Sequence, residues 1–245
     1  MAAGGQAPVL VACDLYEADA SAKLAAAAVA GLGRVDILVN NAGGSRSFKE
    51  LHVSEDAWQE AITLNFHRPR QLADALIDQM IAHRWGRIIN ITGKSEPEHI
   101  NGAFCAKAGI HSWAKGLSRM VGKHGITVNC IPPGRIHSEQ IFRNYTPEYR
   151  AWQSENEIPV GRYGEPEELA DLVAFLASPR AAYISGAVIP VATNSNSKRV
   201  GASNSEGFTG LKNISGSFRS PFFWSSFRAI RKRSRPGASV RLDAG

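Results

Sequence analysis

The chain has 245 residues, of which 44% are hydrophobic, and carries a formal net charge of +6. This length suits one large α/β domain, or one domain with a tail. No apolar run reaches about eighteen residues, so no membrane span is predicted, and the N-terminus lacks the features of a signal peptide. Three widely spaced cysteines favour free thiols in a reducing cytoplasm. The seven histidines show no ligand spacing, so no metal site is predicted.

The positive charge is concentrated near the C-terminus. Residues 193–245 hold ten Lys/Arg and two Asp/Glu, which leaves 28 − 10 = 18 basic and 22 − 2 = 20 acidic residues in 1–192. The sequence therefore predicts a mildly acidic domain over 1–192 and a basic, serine-rich, disordered tail over 193–245. The body is not expected to bind nucleic acid; the basic run 231–235 is interpreted as solvated, with RNA or an anionic surface as the alternative.

The first elements of the domain are a strand and a helix. Residues 8–13 are apolar and predict a short strand, and the alanine-rich run 18–31 predicts a helix that ends at Gly31-Leu32-Gly33. Asp14 and Leu15 lie between them. From this stretch alone, Asp14 is equally explained as a helix cap or a turn residue.

The segment VDILVNNAGG at 35–44 is the most informative stretch of the chain. Its β-branched apolar residues predict a strand buried on both faces, as in a parallel sheet. The Asn-Asn-Ala-Gly-Gly that follows supplies amide groups, and its glycines allow a ligand to approach the backbone closely. In open α/β sheets, ligands bind beyond the carboxyl ends of the strands. An ordinary turn is the alternative for so short a motif.

Two helices and a strand are predicted next. Ser54 is a good N-cap with acidic residues after it, and the helix continues through 58–64 to Asn65, which could be a plain polar helix residue. A second helix is predicted over 69–83. The β-branched run 87–92 predicts another buried strand.

The rest of the domain continues the alternation of helices and strands. A helix is predicted around Lys107, and residues 126–131 predict a strand that is followed by PPGRIHS. Pro166 and the acidic residues after it predict a helix start. Residues 183–191 predict a final strand.

Several of these segments match one known family in the same order. They are VDILVNNAG at 35–43, TLNF at 63–66, the helix around Lys107, ITVN with PPGRI at 126–136, and PVGRYGEPEELA at 159–170. Over about residues 8–191 the chain resembles the short-chain dehydrogenase/reductase family, and within it the 3-oxoacyl reductases. The resemblance implies a Rossmann-like, doubly wound parallel α/β sheet. It also implies hydride transfer between NAD or NADP and a ketone or secondary alcohol.

The resemblance assigns roles to particular residues. Asn65 would kink its helix and relay protons, Thr92 or Ser95 would polarise the carbonyl, and Lys107 would grip the nicotinamide ribose. Asp14 would bind adenine, and residues 133–138 would hold the nicotinamide carboxamide. Residues 145–157 would form a substrate lid. The full set implied to contact the cofactor is Asp14, Leu15, Asn40, Asn41, Ala42, Gly43, Lys107, Pro133, Gly134, Ile136 and Ser138.

The chain departs from the family at the catalytic acid. The family carries Tyr four residues before the lysine, where this chain has Ala103, and Gly93 stands at the usual serine position. Losing such an acid lowers the rate by about 10²–10⁴-fold. His99 or Lys94 could act as a surrogate acid, although loop residues of this kind are more often only solvated.

The resemblance also implies a strand, a glycine-rich turn and a helix ahead of residue 8, and the sequence shows no such unit. That turn normally holds the pyrophosphate of the dinucleotide, so an incomplete fold with weakened cofactor binding is expected. Because a buried unpaired strand edge is costly, we predict that strand 8–13 pairs directly with the strand at 35–40.

These observations lead to two alternative functions. The first is a cytoplasmic, homo-oligomeric oxidoreductase of this family with low or no activity, acting on a small carbonyl or alcohol. Family members assemble through the helices equivalent to 58–83 and 102–121. The alternative is a catalytically silent member that serves as a binding or oligomerisation module.

Overall fold

The computed structural model describes residues 8–44, 48, 50–93 and 100–191. The predictions for Lys94, Ser95, His99 and the tail at 193–245 fall outside the described residues. Within the described part of the chain, no helix is long and apolar enough to cross a bilayer.

The centre of the fold is a parallel sheet of three strands in the order β1-β2-β3. β1 is Ile37–Asn40, β2 is Gly86–Ile91 and β3 is Ile126–Ile131. β2 and β3 are buried at nearly every position, as expected for apolar strands covered on both faces. Asn40 pairs with Asn90, and Ile91 pairs with Ile131, so the three carboxyl ends lie along one edge. The predicted parallel α/β architecture is confirmed.

Seven α-helices connect and cover these strands in the described residues. They are α1 (Ala20–Leu32), α2 (Glu55–Ile62), α3 (Arg68–His83), α4 (Gly102–Val121), α5 (Glu139–Asn144), α6 (Pro147–Asn156) and α7 (Pro166–Ala177). α4 begins at Asn101, whose side-chain oxygen accepts from the backbone N–H groups of the first turn. α7 begins with a capping box between Glu165 and Glu168.

The helices cover both faces of the sheet. Ile88 points to a core formed with α1, α3 and α4, where Leu72, Leu76 and Ile110 are buried. Ile89, the next residue in β2, points to the other face, where Leu176 of α7 closes a second core. Alternation along a strand thus divides the apolar residues between two layers of helices.

The helix that contains Asn65 is irregular. Between α2 and α3, residues Thr63–His67 form a π-helical turn. The Asn65 side chain donates to the carbonyl oxygen of Ala61 at 2.9 Å, and this is the oxygen that a regular α-helix would pair with the Asn65 backbone. Such π turns occur frequently at functional sites.

The prediction for residues 8–13 was wrong. The segment forms no strand, and β1 is paired only with β2 among the described residues. A cleft separates residues 11–15 from residues 39–42, and both sides of it are mainly apolar. The segment still contributes to the fold, because Val11 and Cys13 pack against the main core.

The predicted final strand at 183–191 is only partly present. Parallel bridges join Val188 to Cys130 and Val191 to Pro133, without a continuous strand. The side chain of Asn129 supplements them: its amide nitrogen donates to the carbonyl oxygen of Ile184 at 2.8 Å, and its oxygen accepts from Ala187 N at 3.1 Å. Side-chain hydrogen bonds here replace part of a regular ladder.

Two glycines of α4 give a paired test of how α2 and α4 pack. A Cβ at Gly102 would lie 2.7 Å from Ala61 Cβ and 3.1 Å from Phe48 Cζ, whereas a Cβ at Gly116 would meet nothing within 4 Å. We expect Gly102→Ala to destabilise the protein by about 1–3 kcal/mol through overpacking. Gly116→Ala should stabilise it by about 0.5–1 kcal/mol through helix propensity. Urea unfolding of both variants measures this, and equal effects would contradict the packing.

Candidate functional site

The predicted site residues Gly43, Asn65 and Lys107 meet beyond the carboxyl end of β1. A Cβ placed on Gly43 would lie 2.9 Å from Asn65 Oδ1 and 3.3 Å from Lys107 Nζ. Gly43 itself is exposed, so this point is open to solvent. We call these three residues, with Thr92 and Gly93, the Gly43 site.

Asn65 is held in one orientation. Its amide nitrogen donates to the carbonyl oxygens of Gly44 and Ala61 at 3.0 and 2.9 Å, and its Oδ1 accepts from Gly44 N at 3.3 Å. The side chain is 3% exposed. Its oxygen therefore faces Gly43 and Lys107 as a fixed acceptor.

Lys107 reaches the site from the second turn of α4. Its amine donates to the carbonyl oxygen of Thr92 at a long 3.4 Å. The position of a Cβ on Gly93 is 3.4 Å from Lys107 Cδ, so the aliphatic stem lies against this glycine. Burial lowers the pKa of the Lys107 amine below its usual value. The site thus holds a desolvated amine with one weak acceptor among the described residues.

Thr92 ends β2 with its hydroxyl already engaged. Its Oγ1 lies 2.7 Å from Nε2 of His111, which is on α4 one turn after Lys107. Burial lowers the pKa of His111, which favours its neutral form. α4 therefore contacts Thr92 twice, through the hydroxyl and through the carbonyl oxygen.

The position four residues before Lys107 carries no acid. Ala103 stands there instead, in the first turn of α4, and is only 2% exposed. Among the described residues at the Gly43 site, neither a phenol nor a carboxylate is present.

The other residues of the 40–43 motif, Asn40, Asn41 and Ala42, do not meet Asn65 and Lys107 as Gly43 does. Asn40 is buried and its amide nitrogen donates to Asn90 Oδ1 at 2.8 Å, so it links β1 to β2 instead of pointing to the Gly43 site. Asn41 is exposed, and Ala42 packs against the main core. Both Asn41 and Ala42 also line the cleft beside residues 11–15.

Asp14 and Leu15 lie across that cleft from β1. Asp14 Oδ1 accepts from Tyr16 N at 2.8 Å in a local turn. The Leu15 carbonyl oxygen accepts from Nε of Arg68, a buried residue at the start of α3. Arg68 also donates to the carbonyl oxygens of Tyr16 and Glu17, so it fixes the turn.

The PPGRIHS segment leaves the carboxyl end of β3. Gly134 N donates to the carbonyl oxygen of Val191 at 2.7 Å, and Pro133 forms an isolated parallel β-bridge with the same residue. Ile136 forms another such bridge with Gly164. Ser138 caps α5, where its hydroxyl accepts from Ile141 N. Most of these polar groups are thus used within the segment.

The predicted lid, residues 145–157, is joined to this segment through Arg135. Nη1 of Arg135 donates to the Tyr145 hydroxyl, and Nη2 donates to Glu157, each at 3.3 Å. These contacts hold both ends of α6 near the carboxyl end of β3. Movement of 145–157 stays a prediction.

Comparison with known proteins decides the ancestry of this arrangement. The family model described as enoyl-(acyl carrier protein) reductase matches residues 1–193. The chain belongs to the short-chain dehydrogenase/reductase family. The 3-oxoacyl-(acyl-carrier-protein) reductase of Pseudomonas aeruginosa is 37% identical over 163 residues, covering 65% of both chains. That of Escherichia coli is 39% identical over 166 residues, covering 66% of this chain and 67% of its own.

A solved structure of the same fold agrees with this assignment. The crystal structure of gox2181 matches with a TM-score of 0.67 and 26% identity, covering 74% of this chain and 73% of that one. The present chain spans about 65% of the length of the first curated relatives that it matches.

Two residues of this family member were missed by sequence reasoning. His111 could have been found from its position four residues after Lys107, which places both on one face of the helix. Arg68 precedes Pro69 at a helix start, and nothing in the sequence distinguishes it from a surface arginine. Ser95, predicted as an alternative to Thr92, lies outside the described residues. No group of three or more potential metal ligands occurs in the described part of the chain.

Proposed function

We propose that the chain is an oxidoreductase that binds the nicotinamide half of NAD or NADP at the Gly43 site. Hydride would pass between that cofactor and a ketone or secondary alcohol. The observation that supports this most strongly is the convergence of Gly43, Asn65 and Lys107, from three separate elements, at one open point. The fold alone would not require a buried amine at this point, where the described residues give it no charged partner.

The residues present suit the nicotinamide ribose. A cationic amine and a fixed amide oxygen are complementary to ribose hydroxyl groups, which both accept and donate hydrogen bonds. Gly43 leaves the space that any side chain would fill. NAD(P)H, when bound, supplies the hydride, and Lys107 and Asn65 would bind and orient the ribose beside the reacting carbonyl.

The substrate class is proposed from the relatives. The curated relatives are 3-oxoacyl-(acyl-carrier-protein) reductases, so a 3-oxoacyl thioester is the first candidate among small carbonyl compounds. We further propose that the protein acts in the cytoplasm as a homo-oligomer assembled through the α2–α3 region and α4. Thr92 is proposed to polarise the carbonyl, which would require its hydroxyl to leave His111 or to be shared with it.

Two features support low activity and weak cofactor binding. Ala103 offers a methyl group where the family's tyrosine would be, and it is buried. Asp14, proposed to bind adenine, uses one carboxylate oxygen on its own turn.

The buried Ala103 also supports a second candidate function. In this alternative the chain is a silent member of the family that binds a dinucleotide or a partner chain without turnover. The two candidates are distinguished by whether the protein reduces a carbonyl compound.

Ligand-dependent unfolding tests the proposal. At a free concentration of about ten times Kd, NADH or NADPH should raise the melting temperature by about 3–5 °C. ADP-ribose is the matched control, because it lacks the nicotinamide and should stabilise less. The rate at which NADPH is consumed in the presence of an acetoacetyl thioester then distinguishes a slow reductase from a silent binding module. No stabilisation by either dinucleotide at millimolar concentration would contradict cofactor binding.

A further inference from the structure

We propose that Lys107 itself donates the proton to the carbonyl oxygen in this chain. This inference rests on the proposed function and assigns to Lys107 a catalytic step beyond binding the ribose. It follows from what surrounds the amine, and from the hydrogen-bond partners that the other polar side chains of the described Gly43 site already have.

The amine is aimed at the open point of the site. Nζ lies 3.3 Å from the position that a Cβ on Gly43 would occupy, and 3.4 Å from the Thr92 carbonyl oxygen. Gly43 and Gly93 carry no side chain, so the described residues leave room for a small carbonyl compound next to Nζ. A group at this point would also contact Asn65 Oδ1, the fixed acceptor.

The other polar side chains of the described site already have hydrogen-bond partners, and none of them is a free acid. The Thr92 hydroxyl is bound to His111, both protons of the Asn65 amide go to backbone carbonyls, and Ala103 is apolar. The ionisable groups on the segments packed against α4 are Glu55, Asp56, Glu60, His67, Lys123, His124 and Cys130. α4 itself adds Cys105, His111, Lys115 and Arg119. Burial alone shifts the Lys107 pKa, so none of these charges neutralises the amine.

The proposed step transfers one hydride to the carbonyl carbon and one proton to the carbonyl oxygen. Hydride adds to the carbonyl carbon, and the π pair of the C=O bond moves onto oxygen. That oxygen forms a bond to a proton of the Lys107 ammonium, and the N–H bond pair returns to nitrogen. The neutral amine then takes a proton from solvent, which the exposure of Gly43 permits. In alcohol oxidation each transfer runs backwards.

Charge and proton affinity both favour this step. The ammonium group lies next to the point where negative charge develops, in a partly buried site where its effect is strong. An acid works best when its pKa lies near the working pH. A desolvated lysine is closer to that condition than an exposed one, because burial disfavours its charged form.

Two substitutions separate proton donation from charge and ribose binding. Lys107→Arg keeps a cation that does not release its proton near neutral pH, and Lys107→Met removes both. We expect Lys107→Arg to keep stabilisation by NADPH and to lower kcat by about 10²-fold or more. Lys107→Met should lose both the stabilisation by NADPH and the turnover. Lys115→Arg is the control: it is an exposed lysine of the same helix, which donates to the Gly186 carbonyl oxygen.

The pH dependence of stability tests the lowered pKa of the Lys107 amine without turnover. The pKa of Lys107 is lower when folded than when unfolded, where it is about 10.4. The unfolded state therefore binds more protons between the two values, and stability rises with pH across that range. Lys107→Met should be more stable than the unmodified chain at pH 7, and this difference should shrink by pH 10. Lys115→Met should show no such dependence.

Each outcome bears on the proposal. A Lys107→Arg protein with unchanged kcat would overturn it, as would a chain that binds NADPH and reduces no ketone. A comparable loss of kcat in His99→Ala or Lys94→Met would assign the acid to the loop instead. Failure of NADPH to bind at all would instead remove the proposed function, which the ligand titration detects independently.

Discussion

Gly43→Ala is expected to weaken binding of NADPH by roughly tenfold or more. The added methyl group would lie 2.9 Å from Asn65 Oδ1, a distance that Cβ atoms do not tolerate. Asn65 cannot turn aside without losing its hydrogen bonds to Gly44 and Ala61, each worth about 1 kcal/mol. If it stays, the methyl occupies the space beside Lys107 that the ribose requires. A change of 1.4 kcal/mol corresponds to tenfold in Kd.

Gly44→Ala is the matched control for this prediction. A Cβ at Gly44 would meet Leu64 Cδ2 at 3.6 Å, which is an ordinary contact. Nicotinamide fluorescence measures Kd for both variants, and urea unfolding checks that both are folded. Equal affinity in the two variants would show that the cofactor binds elsewhere.

The three strands were predictable because each is a short run of apolar, often β-branched residues with few polar interruptions. Residues 87–92 and 126–131 were predicted, and the structure has Gly86–Ile91 and Ile126–Ile131. Such runs must be buried on both faces, and a parallel sheet between two layers of helices is the arrangement that does so. Local pattern and global fold agree at these positions.

Residues 8–13 have a similar local pattern and form no strand. A strand is defined by hydrogen bonds to a neighbour, and the sequence of one segment does not reveal whether a neighbour is in reach. Here Arg68 holds the turn at 15–17 against the start of α3, and the cleft keeps residues 11–15 away from β1. Prediction of the pairing failed because a tertiary contact fixed the segment elsewhere.

The Gly43 site was predictable in its backbone and less so in its hydrogen bonds. Residues that follow parallel strands must lie at one edge, and this brings the 40–43 motif near Thr92. The position of the backbone does not determine the direction in which each side chain points. Asn40 turned inward to Asn90, and the Thr92 hydroxyl turned to His111, because these buried polar groups required partners. Rotamer choices of this kind depend on neighbours far apart in sequence.

Arg68→Met should destabilise the protein by about 2–3 kcal/mol, which lowers the melting temperature by about 4–12 °C. The Arg68 side chain donates to the carbonyl oxygens of Leu15, Tyr16 and Glu17 and to Gln71 Oε1. Methionine fills a similar volume and donates nothing. The buried Leu15 carbonyl then lacks its partner, and the turn that bounds the cleft loses its attachment to α3.

Two further variants identify the cause of that loss. Arg68→Lys should recover little, because one ammonium group cannot reach the acceptors that a planar guanidinium spans. Arg70→Met, two residues away, removes an exposed ion pair with Asp74 and should cost about 0.5 kcal/mol or less. If Arg68→Met and Arg70→Met unfolded at the same urea concentration, the turn at 15–17 would not depend on Arg68. The position of residues 11–15 would then depend on apolar packing, in which Val11, Cys13 and Leu15 take part.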